Sequence, residues 1–120
     1  IVKDQQIIAE GWNRPIATHD PTAHEEIIAM RAAANVLGNY RLMDCTLCVT
    51  LEPCAMCAGA MVNARVKQLV YGATDPRAGA AGTIFNIADH PALNHRLEVK
   101  SGVLAEECGD LIRRFFQSRR

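Results

Sequence analysis

A chain of 120 residues with 49% hydrophobic and 22% charged side chains has the balance of one globular domain, long enough to enclose a core and too short for two. Thirteen basic and thirteen acidic side chains give a formal net charge of zero, which excludes a global field for polyanions and leaves nucleic-acid contact to local patches. The apolar runs fall far short of a bilayer span and the first residues do not read as a signal peptide, so no membrane partner is expected and the cytoplasm is the expected compartment.

In chain order, residues 1–2 read as the end of a strand, 3–6 as a turn and 7–12 as the returning strand. Residues 13–22 read as a loop, because Pro15, Asp20 and Pro21 interrupt regular structure. From His24 the apolar positions Ile27, Ile28, Met30, Ala33, Ala34, Val36 and Leu37 recur at helical spacing, and Gly38 is a suitable C′ residue. Residues 45–49 form a short apolar, β-branched run, the pattern of a strand buried on both faces. A second helix follows over 55–65 and another buried strand over 68–72. Residues 74–94, with "GAAG", form a long irregular connection of the kind that usually carries function. A strand over 96–100 and a helix over 105–117 complete the pattern. Strands alternating with helices predict an α/β fold, a three-layer α/β/α sandwich.

Five cysteines, an odd number at spacings unlike a secreted disulfide framework, fit a reducing compartment where paired cysteines bind metal or do redox chemistry. Pro53-Cys54-Ala55-Met56-Cys57 places two thiols one turn apart at a helix start, where unpaired N–H groups and the positive dipole end favour thiolates. That spacing alone also suits a redox pair. Upstream, "TAHEE" sets His24 and Glu26 at the mouth of another helix. One imidazole and two thiolates make a three-ligand zinc set that leaves the fourth tetrahedral position for water, the arrangement of a catalytic site. Two thiolates cancel the formal charge of Zn²⁺ and weaken its Lewis acidity, so a separate proton acceptor is needed. Glu26, two residues beyond the ligand, is placed to take a proton from water and pass it to a ring nitrogen and a leaving amine. The expected inventory is one Zn²⁺ per chain and no organic cofactor.

The combination H-x-E with P-C-x-x-C is a known signature of zinc-dependent base deaminases. Together with "HDPTAHEEIIAMRAA", "TLEPCAMCAGAMVNARV", "GAAGT" and "HPALNHR", it closely resembles the bacterial tRNA-specific adenosine deaminase family, from about Ile7 to Arg120. The resemblance implies a cytidine-deaminase-like sandwich with a mixed central sheet, a homodimer, and a tRNA anticodon loop as substrate, with inosine made at the wobble position. It assigns residues 1–120 to a single deaminase domain, and the family's amino-terminal helix and the first part of its first strand precede anything in this stretch. Glu25 stands in the H-x-E triplet where the family commonly has a smaller residue. By the same resemblance Asn13 meets the target base, and Asp75, Asn94, His95, Phe116 and Arg119 line the RNA groove. Residues 113–120 hold four arginines and no acid, a cationic stripe beside Phe115 and Phe116 that suits phosphate contact and stacking.

Competing readings bound these assignments. Cys45 and Cys48 are not half of a four-cysteine ribbon: on a strand, positions three apart face opposite sides, and the gap to Cys54 is short. They are expected in the core, with Cys108 structural. Met30, Met56 and Met61 read as core filling, Trp12 as a packing residue, and His19 as a loop or surface residue. His90 and His95 are open between RNA contact and simple exposure, and the arginine tail between RNA contact and a solvated helix end. Within the enzymes, the rival substrate is a free base or nucleotide such as cytidine, deoxycytidylate or guanine. Outside them, the rival is a catalytically silent, zinc-stabilised RNA-binding or dimerisation module.

Overall fold

The computed structural model describes residues 1–13 and 15–118, without the side chains of Pro15, Leu111 and residues 115–118. A hairpin opens the chain: β1 (Val2–Lys3) pairs with β2 (Gln6–Ile7) across Asp4 and Gln5, whose φ values of 51° and 63° are those of a two-residue primed turn. The pairing continues to Ile1, whose carbonyl accepts from Ile8 N and whose amino group donates to Ala9 O. Beyond Ala9 the chain leaves the ladder, so the expected strand over 7–12 is shorter than its apolar pattern suggested. Pro15 starts a single helical turn, α1 (Pro15–Thr18), inside the expected loop; its missing N–H and fixed φ suit a first helical position.

Helix α2 (Glu25–Leu37) ends at Gly38, whose φ of 64° closes the helix as its glycine predicts. Strand β3 (Thr46–Leu51), helix α3 (Ala55–Asn63) and strand β4 (Gln68–Ala73) follow, then β5 (Glu98–Lys100) and α4 (Ala105–Ser118). The sheet order is β2-β1-β3-β4-β5, with β1 antiparallel to β2 and β3, and β3, β4 and β5 parallel. The sheet is mixed, as expected.

One face of the sheet presents Leu47, Leu69 and Tyr71 to a core completed by Met30 and Ala33 from α2 and by Cys57, Met61 and Val62 from α3. Each large aliphatic side chain there is worth about 1.5–3 kcal/mol of burial. The opposite face meets α4. Gly72 makes that approach possible, since a Cβ there would stand 2.5 Å from Cys108 Sγ and 2.9 Å from Thr50 O.

The two-sided burial expected for the third strand does not hold along its length. Leu47 is 2% exposed, whereas Cys48 and Thr50 on the other side are exposed and border a hollow of about 590 Å³ with Val70, Val103 and Leu104. Cys48 is therefore not a core thiol, although Cys45 is fully buried, because α4 covers only part of that face. Met56 also departs from expectation: at 37% exposure it points off α3, while Met30 and Met61 are buried. Trp12 is 63% exposed rather than packed inside. Among the described residues, no helix is long and apolar enough to cross a membrane.

Candidate metal centre and base-binding site

Strand β3 runs through Glu52 and Pro53 directly into α3, and Cys54 is the N-cap of that helix with extended φ and ψ of −76° and 175°. Cys57 falls one turn on, fully buried. His24 is likewise the N-cap of α2, at φ −71° and ψ 155°. Two helix N-termini thus meet at one point, and packing between α2 and α3 converts a separation of 30 residues into contact. Their positive ends face the thiols, the electrostatic setting that favours sulfur anions.

His24 Nδ1 lies 3.6 Å from Cys54 Sγ and 3.5 Å from Cys57 Sγ, and among the described residues these three form the group able to hold a metal. Bonds of about 2.3 Å to sulfur and about 2.05 Å to nitrogen, at a tetrahedral angle, put the two ligand atoms about 3.6 Å apart. The side chains therefore already have the spacing of ligands to one zinc-sized ion. Without an ion the thiol of Cys57 is unfavourable to ionise: burial, then the neighbouring Glu26 and Cys54, pushes its pKa far above the ordinary thiol value. A dication in their midst reverses that balance, because the thiolate then gains a coordinating charge.

Glu26 projects from the first turn of α2, 7% exposed, close enough to the Cys57 thiol for each group to shift the other's pKa. Burial raises its pKa above the usual carboxylate value, the direction that equips an acid to give back a proton near neutrality. Glu25 is half-buried, and its carboxyl is also raised, first by burial and then by the charge of Glu26.

Asn13 caps α2 from outside: its Oδ1 accepts from Glu25 N at 2.8 Å. With the carbonyl so engaged, the Nδ2 group is the donor side of this exposed amide. The chain between β2 and Asn13 lies hard against α2, since a Cβ on Gly11 would stand 2.5 Å from Glu25 O and 2.7 Å from Ala29 N. That close approach carries Asn13 to the helix end.

Asp75 opens the long connection after β4, and its Oδ1 accepts from Arg77 N at 2.9 Å and Ala78 N at 3.3 Å. Asn94 accepts from Arg65 Nη1 at 3.1 Å, and His95 Nε2 meets Val66 O at 2.7 Å, so both brace the turn after α3. Exposed His90 accepts from Ala92 N, and exposed His19 sits at the end of α1 with φ 51°. The side chain of Phe116 and the whole of Arg119 lie outside the described residues.

One residue escaped the sequence reading. Glu52, 2% exposed, sits in "TLEPC" beside the ligand and accepts bonds from Asp75 N, Ala81 N, Thr83 N and Thr83 Oγ1. Burial alone would raise its pKa, but the Thr83 hydroxyl and the three backbone donors outweigh that and hold it below the ordinary value. The only sequence signal was an acid at the end of a strand otherwise free of charge.

The whole chain, residues 1–120, matches the family profile of the MafB19-like deaminases. It is 56% identical over 116 residues to a tRNA-specific adenosine deaminase of Haemophilus influenzae, covering 97% of this chain and 67% of that one. A solved structure from work on A-to-I editing by tRNA:A34 deaminases at the wobble position superposes with a TM-score of 0.87 at 41% identity, covering 92% of this chain and 80% of its own. A guanine deaminase of Bacillus subtilis gives a TM-score of 0.61 at 39% identity, over 93% of this chain and 74% of its own. With a deaminase profile over its full length, a relative of this identity and the mixed sheet of the wobble-editing enzymes, this chain belongs to the tRNA-specific adenosine deaminase family.

Proposed function

We propose that residues 1–120 act as one deaminase domain that holds one zinc ion at His24, Cys54 and Cys57 and converts the wobble adenosine of a tRNA anticodon loop to inosine. The observation that carries this reading is the 3.5–3.6 Å spacing of imidazole and thiols with buried Glu26 beside them, in a chain 56% identical to a tRNA-specific adenosine deaminase. Zinc bound there supplies Lewis acidity, lowering the pKa of a water molecule toward neutrality.

The protein residues do the rest. An anticodon base must leave its stack, at a cost of a few kcal/mol that is smaller in an unpaired loop. Asn13 offers its Nδ2 donors to acceptors on the purine, oriented by its own bond to Glu25 N. Glu26 accepts a proton from water as the oxygen adds to C6 of adenine and delivers it to N1; it then takes the proton of the new C6 hydroxyl and passes it to the amino nitrogen, so that the C6 carbonyl forms, the C–N bond breaks and ammonia leaves. Water and adenosine become inosine and ammonia, with Glu26 returned to its starting state.

Asp75, Asn94, His95, Phe116 and Arg119 are assigned to the RNA groove on the strength of the family resemblance, and a homodimer is carried over on the same basis; analytical ultracentrifugation tests the dimer. The guanine deaminase neighbour gives the second reading, since the same ligand set and acid serve a free base equally well. Incubation with a wobble-adenosine anticodon stem-loop, guanine and cytidine in parallel, scored for ammonia and inosine, decides between them. Product from the stem-loop alone is expected, and ammonia from guanine alone would overturn the assignment to tRNA.

A further inference from the structure

Glu52 takes no part in the ligand set, yet it is a nearly inaccessible acid beside it. Each of its oxygens has two donors: Oε1 accepts from Asp75 N at 3.1 Å and Thr83 Oγ1 at 2.5 Å, and Oε2 from Ala81 N at 3.0 Å and Thr83 N at 3.1 Å. A carboxylate is the side chain that accepts everywhere and donates nowhere, so it matches four inward-pointing donors without a cation. The segment is wrapped closely enough that a Cβ on Gly79 would stand 2.5 Å from Glu52 Cδ and 2.6 Å from Asp75 O. Ala80 N adds a bond to Pro53 O at 2.8 Å, and Glu52 N donates to Ala73 O at 2.9 Å. The connection from 75 to 83 is therefore fastened to the two residues that immediately precede Cys54.

We propose that Glu52 is a positioning residue for substrate engagement: its carboxylate fixes the 75–83 segment, and with it Asp75, relative to the helix start that carries Cys54. This rests on the deaminase reading above. Asp75 receives its backbone position from Glu52 and its side-chain orientation from Arg77 N and Ala78 N, so loosening the clamp moves a residue that the proposed function assigns to the RNA groove without touching a ligand or Glu26.

The test uses Glu52→Gln, which turns an N–H donor toward N–H donors, and Thr83→Val, which removes one hydroxyl donor only. Amide hydrogen exchange, zinc per chain, and kcat and KM on the anticodon stem-loop are measured for each zinc-loaded variant. In Glu52→Gln, exchange at Asp75, Ala81 and Thr83 is expected to quicken by about tenfold or more and KM to rise by about as much, as for loss of hydrogen bonds to a charged group. Zinc content stays at one per chain and kcat falls less than KM rises; Thr83→Val shows the same pattern at smaller size. Unchanged exchange at those amides overturns the clamp, and a fall in kcat with loss of zinc at constant KM overturns the substrate role. If Glu52→Gln does not fold, Thr83→Val decides on the same criteria. A wild-type chain that fails to deaminate the stem-loop sinks the deaminase reading instead, while exchange still reports on the clamp.

Discussion

Replacing Glu26 by glutamine separates the chemistry of the carboxylate from the cost of burying it. Glutamine keeps the shape of a side chain that is 7% exposed but gives up the ability to carry a proton between water, N1 and the leaving nitrogen. A positioned acid–base group contributes roughly 10²–10⁴-fold, about 3–5 kcal/mol of barrier, so kcat on the stem-loop should fall by that factor with KM little changed and zinc still one per chain. Stability should move the other way in the chelated, metal-free chain. Burial raises the pKa of Glu26, so the folded chain keeps a proton that the unfolded chain has lost between the ordinary carboxylate value and the raised one. Stability attributable to Glu26 therefore falls as pH rises through that window and stays low above it. Glutamine does not titrate, so the variant should match wild type at acid pH and melt higher at neutral pH. Ammonia release, metal analysis and circular-dichroism melts across pH measure all three. A kcat within tenfold of wild type would refute the proton-transfer role, and a variant that melts lower at neutral pH would refute the burial argument.

Cys57→Ala removes a fully buried sulfur 3.5 Å from His24 Nδ1, and should lower bound zinc to near zero and abolish deamination; a fully metallated variant would count against ligation. Gly11→Ala drives a methyl group into the backbone of α2, and should cost about 1–3 kcal/mol in thermal unfolding and raise KM through displacement of Asn13; an unshifted melt would mean the contact is not tight. Leu69→Ala, at a fully buried sheet position, should cost about 2–5 kcal/mol, read as a lower denaturant midpoint at constant slope. Changing Arg113, Arg114, Arg119 and Arg120 to glutamine should flatten the dependence of RNA affinity on salt, and an unchanged slope would remove these arginines from the interface.

Local pattern sufficed for much of this protein. The i, i+3 cysteines after Pro53 and the His24–Glu26 pair announced their chemistry because each needs only one helical turn to bring its members onto one face, and α2 and its Gly38 stop follow from spacing within a single segment. Exposure was less legible. Cys48, Met56 and Trp12 are apolar by composition, but whether an apolar side chain is covered depends on an element elsewhere in the chain; for Cys48 that element is α4, which reaches only partly across the sheet.

The sequence by itself determined which side chains are candidates for the donor set and the proton carrier, and the order of the longer strands and helices, since these are written in short spacings. Only the tertiary structure decided that His24 lies 3.5–3.6 Å from the sulfurs of Cys54 and Cys57, that Asn13 caps α2, and that Glu52 gathers four donors from a connection 23 to 31 residues away. Those arrangements depend on segments remote in sequence approaching closely, as the space around Gly11, Gly72 and Gly79 shows, and no local pattern encodes which remote atoms will be there.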